Sequence, residues 1–116
     1  MKRRFRLTKS TDFKRVRQQG EPYSHPLMVL IALQNGLDQP RIAVSAGRTV
    51  GNAVKRNRAK RLIRSALQPL LDSISPGWDI VLIARHQIVD ATLQDTFSAL
   101  QSLLRRAKLI SRPNDN

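Results

Sequence analysis

No acidic residue occurs between Asp38 and Asp72, and eight basic residues fill that gap: Arg41, Arg48, Lys55, Arg56, Arg58, Lys60, Arg61 and Arg64. Guanidinium forks can each hold a pair of phosphate oxygens, so a run of uncompensated arginine suits phosphates spaced along a polyanion. A stretch that merely kept a surface soluble would mix signs, because Glu and Asp normally alternate with Lys and Arg as i, i+4 partners. No acid is interleaved here, and the chemistry indicated is polyanion binding.

Groups that could break a bond are scarce. The chain has no cysteine, which removes disulfides, thiolate metal sites and cysteine nucleophiles together. Its two histidines, His25 and His86, are isolated in sequence and read as surface or strand-end residues. Asp79, Asp90 and Asp95 lie outside the basic half, where helix capping and solvation account for them. Gly47 and Gly51 lack the spacing of a phosphate-cradling loop, and no nucleophile elbow is present. The expectation is therefore a binding protein with no catalytic residue and no metal ligand of its own.

A helix must present these cations. Asn52 is a suitable N-cap, and Pro69 should end or kink the helix near Gln68, since it lacks a donor and clashes with the preceding turn. Projected at roughly 100° per residue, Arg56, Lys60 and Arg64 form one stripe, with Asn57 and Arg61 beside it and Arg58 at its far edge. Ala59, Leu62, Ile63 and Ala66 fall on the other side, where they can pack on a sheet.

Around this helix the chain reads as helix, two strands, helix, strand, helix. Thr11 to Gln19 carries Phe13 and Val16 on one side and ends at Gly20; Glu21 to Pro26 reads as a turn or irregular link, and the fold leaves room for one extra short strand without placing it. Leu27 to Leu33 and Arg41 to Ala46 are strands, expected to pair as a hairpin across the Asn35-Gly36 loop. Pro76-Gly77 is a turn before Trp78 to Ala84, a central strand buried on both faces. Leu93, Phe97, Leu100, Leu104 and Ala107 recur at helical spacing in the last helix. The fold class is α/β in the α+β sense, one small domain spanning 1–116, with flexible ends at 1–8 and 111–116.

The formal net charge of +13 resides entirely in residues 1–64; residues 65–116 carry five charges of each sign. Nucleic acid and anionic membrane both fit that asymmetry. Membrane fits worst, because the apolar side of the basic helix is needed for the core. DNA motifs are not evident, and charge alone does not separate RNA from DNA. The basic N-terminus lacks a following apolar stretch, and the run Leu27 to Leu33 is too short for a bilayer, so cytoplasmic residence is expected.

The stretch RIAVSAGRTVGNAVKRNRAKRLIR, Arg41 to Arg64, resembles the signature of the bacterial ribonuclease P protein subunit. Its heart is Val50-Gly51-Asn52-Ala53-Val54, then Arg56-Asn57-Arg58, Lys60-Arg61 and Arg64. The likeness extends to Leu7-Thr8-Lys9, Asp12-Phe13, Gly20, Asp79-Ile80-Val81 and Ala84-Arg85, and so covers nearly the whole chain. The resemblance implies a protein that joins a large catalytic RNA to remove the 5′ leader of precursor tRNA, the RNA doing the chemistry and requiring Mg²⁺. It implies catalytic-RNA contacts at Arg48, Lys55, Arg56, Asn57, Arg58, Lys60, Arg61 and Arg64. It also implies a leader cleft with Phe13, Arg17, Val29 and Ile31, although Arg17 stands where the family commonly has an aromatic and Ile31 where a tyrosine can occur. The fold implied has helices on a small mixed sheet and a left-handed βαβ crossover through the basic helix (ribosomal protein S5 domain 2-like), against the usual handedness. The partners implied are the catalytic RNA and precursor tRNA, with no membrane and no obligate protein partner. Two rivals remain on the residues alone: a ribonuclease that acts by itself, and a ribosomal or other structural RNA-binding protein.

Overall fold

The computed structural model describes residues 5–110. Helix α1 (Ser10–Gln19) leads into strands β1 (Glu21–Ser24), β2 (Met28–Gln34) and β3 (Arg41–Ala46), followed by helix α2 (Ala53–Leu67), strand β4 (Trp78–Ala84) and helix α3 (Leu93–Arg106). Short 3-10 segments at Gln68–Ser73 and His86–Asp90 flank β4. The four strands form one mixed sheet in the order β1-β2-β4-β3, with β3 parallel to β4 and the other pairs antiparallel.

Alternation along the strands gives each sheet face its own core. Met28, Leu30, Ile42, Ile80 and Leu82 face α2 and α3, where they meet Ile63 and Leu67 of α2 and Leu100, Leu103 and Leu104 of α3. Leu7, Val16, Ile31 and Val81 make a smaller cluster under α1, bordered by half-buried Phe13, Val29, Leu33, Ala43 and Ile83. β4 touches both clusters, as expected of the strand read as buried on its two sides. Helix α3 buries Thr96, Ala99 and Leu103 beside the expected Leu100 and Leu104, while Leu93 is half exposed. Its start is held by a capping box between Thr92 and Asp95.

Three expectations need correction. β2 and β3 do not form a hairpin, because β4 lies between them and pairs with both. The parallel β3–β4 pair requires a long crossover, which α2 supplies. Glu21 to Ser24 is an edge strand paired with Val29 to Ala32, where Pro22 is tolerated because edge positions need no inward donor. The first residues are also docked over part of the stretch expected to be flexible: the Leu7 N–H donates to the Ile42 carbonyl at 2.9 Å, Arg6 bridges Ile42, and Phe5 and Leu7 are buried. The remaining parts of both expected flexible ends, 1–4 and 111–116, lie outside the described residues.

Asp79 also departs from expectation, since it is a fully buried side chain in β4 rather than a solvated or capping carboxylate. Arg41 donates to it from Nε at 2.9 Å and from Nη2 at 2.8 Å, Arg15 of α1 donates at 2.7 Å, and Asn35 donates at 2.9 Å. Burial pushes the carboxyl pKa up, but hydrogen bonds from Arg41 and Asn35, the Arg41 charge and the Arg15 bond outweigh it and hold the group below its ordinary value. The same contact raises the Arg41 pKa. A carboxylate depressed in the folded state contributes stability that is complete above its unfolded pKa and lost as pH falls through the folded one. Chemical denaturation of Asp79→Asn should show a loss of about 2–3 kcal/mol at neutral pH. The gap to wild type should narrow below about pH 4; a gap independent of pH would contradict the pairing.

Candidate nucleic-acid interface

The backbone before α2 sets where its cations start. Turns close from the Val50 N–H to the Gly47 carbonyl and from the Gly51 N–H to the Arg48 carbonyl, each at 3.1 Å. Gly51 has φ +137°, and a Cβ there would stand 2.7 Å from Cδ of Lys55, so the lysine stem lies across the glycine. The Asn52 side chain then accepts from the Lys55 N–H at 3.0 Å, capping the helix as its position suggested. From this start Lys55, Asn57, Arg58, Arg61 and Arg64 are exposed, Arg56 and Lys60 half-buried, and Ala59, Ile63 and Ala66 buried.

Among the described residues, every ion pair joins Arg15 or Arg41 to Asp12 or Asp79. None involves α2, so the cations of its outer face have no anionic partner among the described residues. Arg48, Lys55, Arg56, Lys60, Arg61 and Arg64 also lack any side-chain hydrogen bond among the described residues. Two of the eight basic residues differ. Arg41 has its partners in Asp79 and Asp12, far away in sequence but adjacent across the parallel β3–β4 pair and α1. Arg58 donates to the carbonyls of Val89 at 3.1 Å and Ala91 at 3.4 Å, tying α2 to the link before α3. Neither engagement could be inferred from the local sequence.

Asn57, Lys60, Arg61 and Arg64, with Val54, border a shallow depression of about 450 Å³. Arg64 also borders a second one of about 280 Å³, beside Arg6 to Thr8 and β3. Phe13, Arg17, Val29 and Ile31 lie on the opposite side of the sheet, where α1 covers part of its surface. The Arg17 guanidinium stands 6.0 Å from the centroid of the Phe13 ring, at the limit of a cation–π contact. Phe13 and Val29 are half-buried, but Ile31 is only 8% exposed. A Cβ at Gly20 would stand 2.7 Å from Ile31 Cγ2, so the end of α1 presses on that side chain. The half-buried apolar surface continues instead through Ile83, which pairs with Val29, and is bordered by the polar Ser45, which pairs with Ile83. Ile83 and Ser45 were not singled out from sequence, because their place beside Val29 depends on β4 entering between β2 and β3.

A family model described as Ribonuclease P matches residues 1–108. The chain belongs to that family. A ribonuclease P protein component from Herpetosiphon aurantiacus is 38% identical over 109 residues, covering 94% of this chain and 89% of the relative. The solved ribonuclease P protein of Staphylococcus aureus superposes with a TM-score of 0.83 at 30% identity, covering 92% of this chain and 98% of its own. That of Thermotoga maritima gives 0.78 at 28% identity, covering 87% and 96%.

In this ribonuclease P family member the remaining chemical groups have local duties. His25 Nδ1 accepts from the Leu27 N–H at 3.0 Å within a turn, His86 is exposed at the head of a 3-10 segment, and Asp95 completes the α3 cap. Among the described residues no three His, Asp or Glu side chains gather where they could hold a metal ion, and no helix is long and apolar enough to cross a membrane. Arg58→Ala removes two charge-assisted bonds to carbonyls at an exposed site, and should lower stability by about 1 kcal/mol. Arg56→Ala should leave the melting temperature within a degree or two of wild type. Equal thermal stability of the two variants would show that Arg58 is not a tie.

Proposed function

We propose that the protein is the RNA-binding subunit of ribonuclease P, assisting a catalytic RNA in removing the 5′ leader of precursor tRNA. Family membership makes it a component of an endoribonuclease holoenzyme, a ribonucleoprotein of tRNA processing. The observation that carries the finer reading is the outer face of α2 and the turn before it, where Lys55, Arg56, Lys60, Arg61 and Arg64 on the helix and Arg48 in the turn stand without anionic partners among the described residues. That face lowers the repulsion between two RNAs brought together, and Asn57 adds a polar contact within it. Arg58 keeps donors beyond its two carbonyl bonds, since a guanidinium has five, and joins the same face at its edge.

The side chains of the protein supply no bond-breaking group in this reading. Among the described residues no group of carboxylates or histidines suits a divalent cation; in this reading the Mg²⁺ belongs with the phosphates of the RNA, and the holoenzyme works in the cytoplasm. The half-covered sheet face receives the single-stranded leader. Phe13 offers a ring for stacking with Arg17 above it, Val29 forms an apolar floor, and Ile31 supports that floor from beneath α1. Contacts made only by the leader favour precursor over mature product.

Purified protein alone should leave precursor tRNA intact, and adding ribonuclease P RNA with Mg²⁺ should give correct 5′ processing at lower salt than RNA alone. Arg61→Ala should weaken assembly with the RNA and reduce the slope of log affinity against log salt by about one. Correct cleavage by nuclease-free protein alone, or an unchanged salt slope, contradicts this reading. Phe13→Ala should cut the preference for precursor over mature tRNA by about tenfold, measured as the ratio of their dissociation constants; an unchanged ratio removes Phe13 from the leader site.

A further inference from the structure

Val54 is 74% exposed, more than any other large apolar side chain among the described residues. Packing does not call for it. A β-branched residue on a solvated helix loses side-chain freedom, and alanine or lysine would form the first turn of α2 more readily. A single exposed apolar side chain is ordinary by itself, but its surroundings here are not. Val54, Asn57 and Arg61 follow one another at i, i+3 and i+7 on one face, and with Lys60 and Arg64 they border the depression of about 450 Å³. Side chains on a helix lean toward its N-terminus, so Lys60, Arg61 and Arg64 reach back toward Val54 and Asn57. Asn57 is exposed and its amide makes no hydrogen bond among the described residues, leaving a donor and an acceptor side by side.

Phosphate contact alone accounts for the three cations but needs neither an apolar side chain nor a neutral amide. Together the five residues offer what a splayed nucleotide presents: an apolar base surface, a base edge with hydrogen-bonding groups, and a phosphate. We propose, resting on the reading of α2 as the RNA-facing helix, that this depression holds one unpaired nucleotide of the catalytic RNA. Its base lies on Val54 with its edge at the Asn57 amide, and its phosphate lies among Lys60, Arg61 and Arg64. Adenine suits the amide best, because its N6 donor and N7 acceptor match an amide oxygen and N–H pair.

The test is titration of in vitro transcribed ribonuclease P RNA from the same organism with wild type, Val54→Ala, Asn57→Ala and Arg61→Ala over a range of salt. Val54→Ala should bind about fivefold and Asn57→Ala about tenfold more weakly, both with the wild-type salt slope, since neither removes a charge. Val54→Ala should melt no lower than wild type, because alanine is the better helix former, which separates lost contact from lost fold. Acylation of RNA 2′-hydroxyls should reveal one unpaired nucleotide protected by wild type and exposed again with Asn57→Ala. Wild-type affinity of both Val54→Ala and Asn57→Ala, or protection that survives Asn57→Ala, overturns the nucleotide site. In that case the RNA-facing reading of α2 stands if Arg61→Ala still flattens the salt dependence, and falls with the nucleotide site if it does not.

Discussion

Helix α2 joins two parallel neighbours in the sheet, and that connection fixes its orientation before any ligand arrives. The crossover from β3 to β4 must pack against the sheet, so Ala59, Ile63, Ala66 and Leu67 turn inward and the intervening positions turn outward. Those outward positions hold cations with no acid in the same helix, an arrangement that raises the electrostatic energy of the folded state. Burial of the inner face offsets that repulsion. The two sides of α2 are thus bound together: its apolar anchorage is what lets like charges be held close on a rigid surface.

One carboxylate of the basic half, Asp12, and the one of β4, Asp79, are used elsewhere. Asp12 and Asp79 both serve Arg15 and Arg41, fastening α1 across the sheet at one end. The other end of that sheet face, around Val29, Ile83 and Ser45, has no such fastening and stays half-exposed. Charge pairing therefore decides where α1 closes on the sheet and, by omission, where the apolar surface remains available. The basic face of α2 stays positive because the helix holds no acid of its own and Asp12 and Asp79 are engaged with Arg15 and Arg41.

Much of this was legible from local pattern. The span of α2, its Asn52 cap, its termination before Pro69 and the inward turn of Ala59, Ile63 and Ala66 follow from capping chemistry, the missing proline donor and helical periodicity, none of which needs tertiary information. Leu62, by contrast, is only half-buried, and Leu67 joins the buried side at the helix end. β4 was legible for the same reason, as a short apolar run between turn signals. What escaped was pairing between distant segments. A hairpin is the economical guess for two neighbouring strands, and nothing near Leu33 or Arg41 announces that β4 will part them. That one insertion also hides the environment of Asp79, the partners of Arg41 and the contribution of Ile83 beside Val29. Arg58 was read as an edge member of the basic stripe, because its carbonyl partners lie about thirty residues downstream.

The central position of β4 bears on how the chain comes to be folded during synthesis. β2 and β3 leave the ribosome first but cannot pair with each other in the native order, since the strand that separates them is made some thirty residues after β3 ends. The segment holding all of the net positive charge therefore emerges before the sheet that organises it can close. Folding depends on contacts distant along the chain, which form slowly compared with local ones. Until β4 arrives, the basic segment lacks the strand that parts β2 from β3, and completion of the sheet is what fixes its charges in one arrangement.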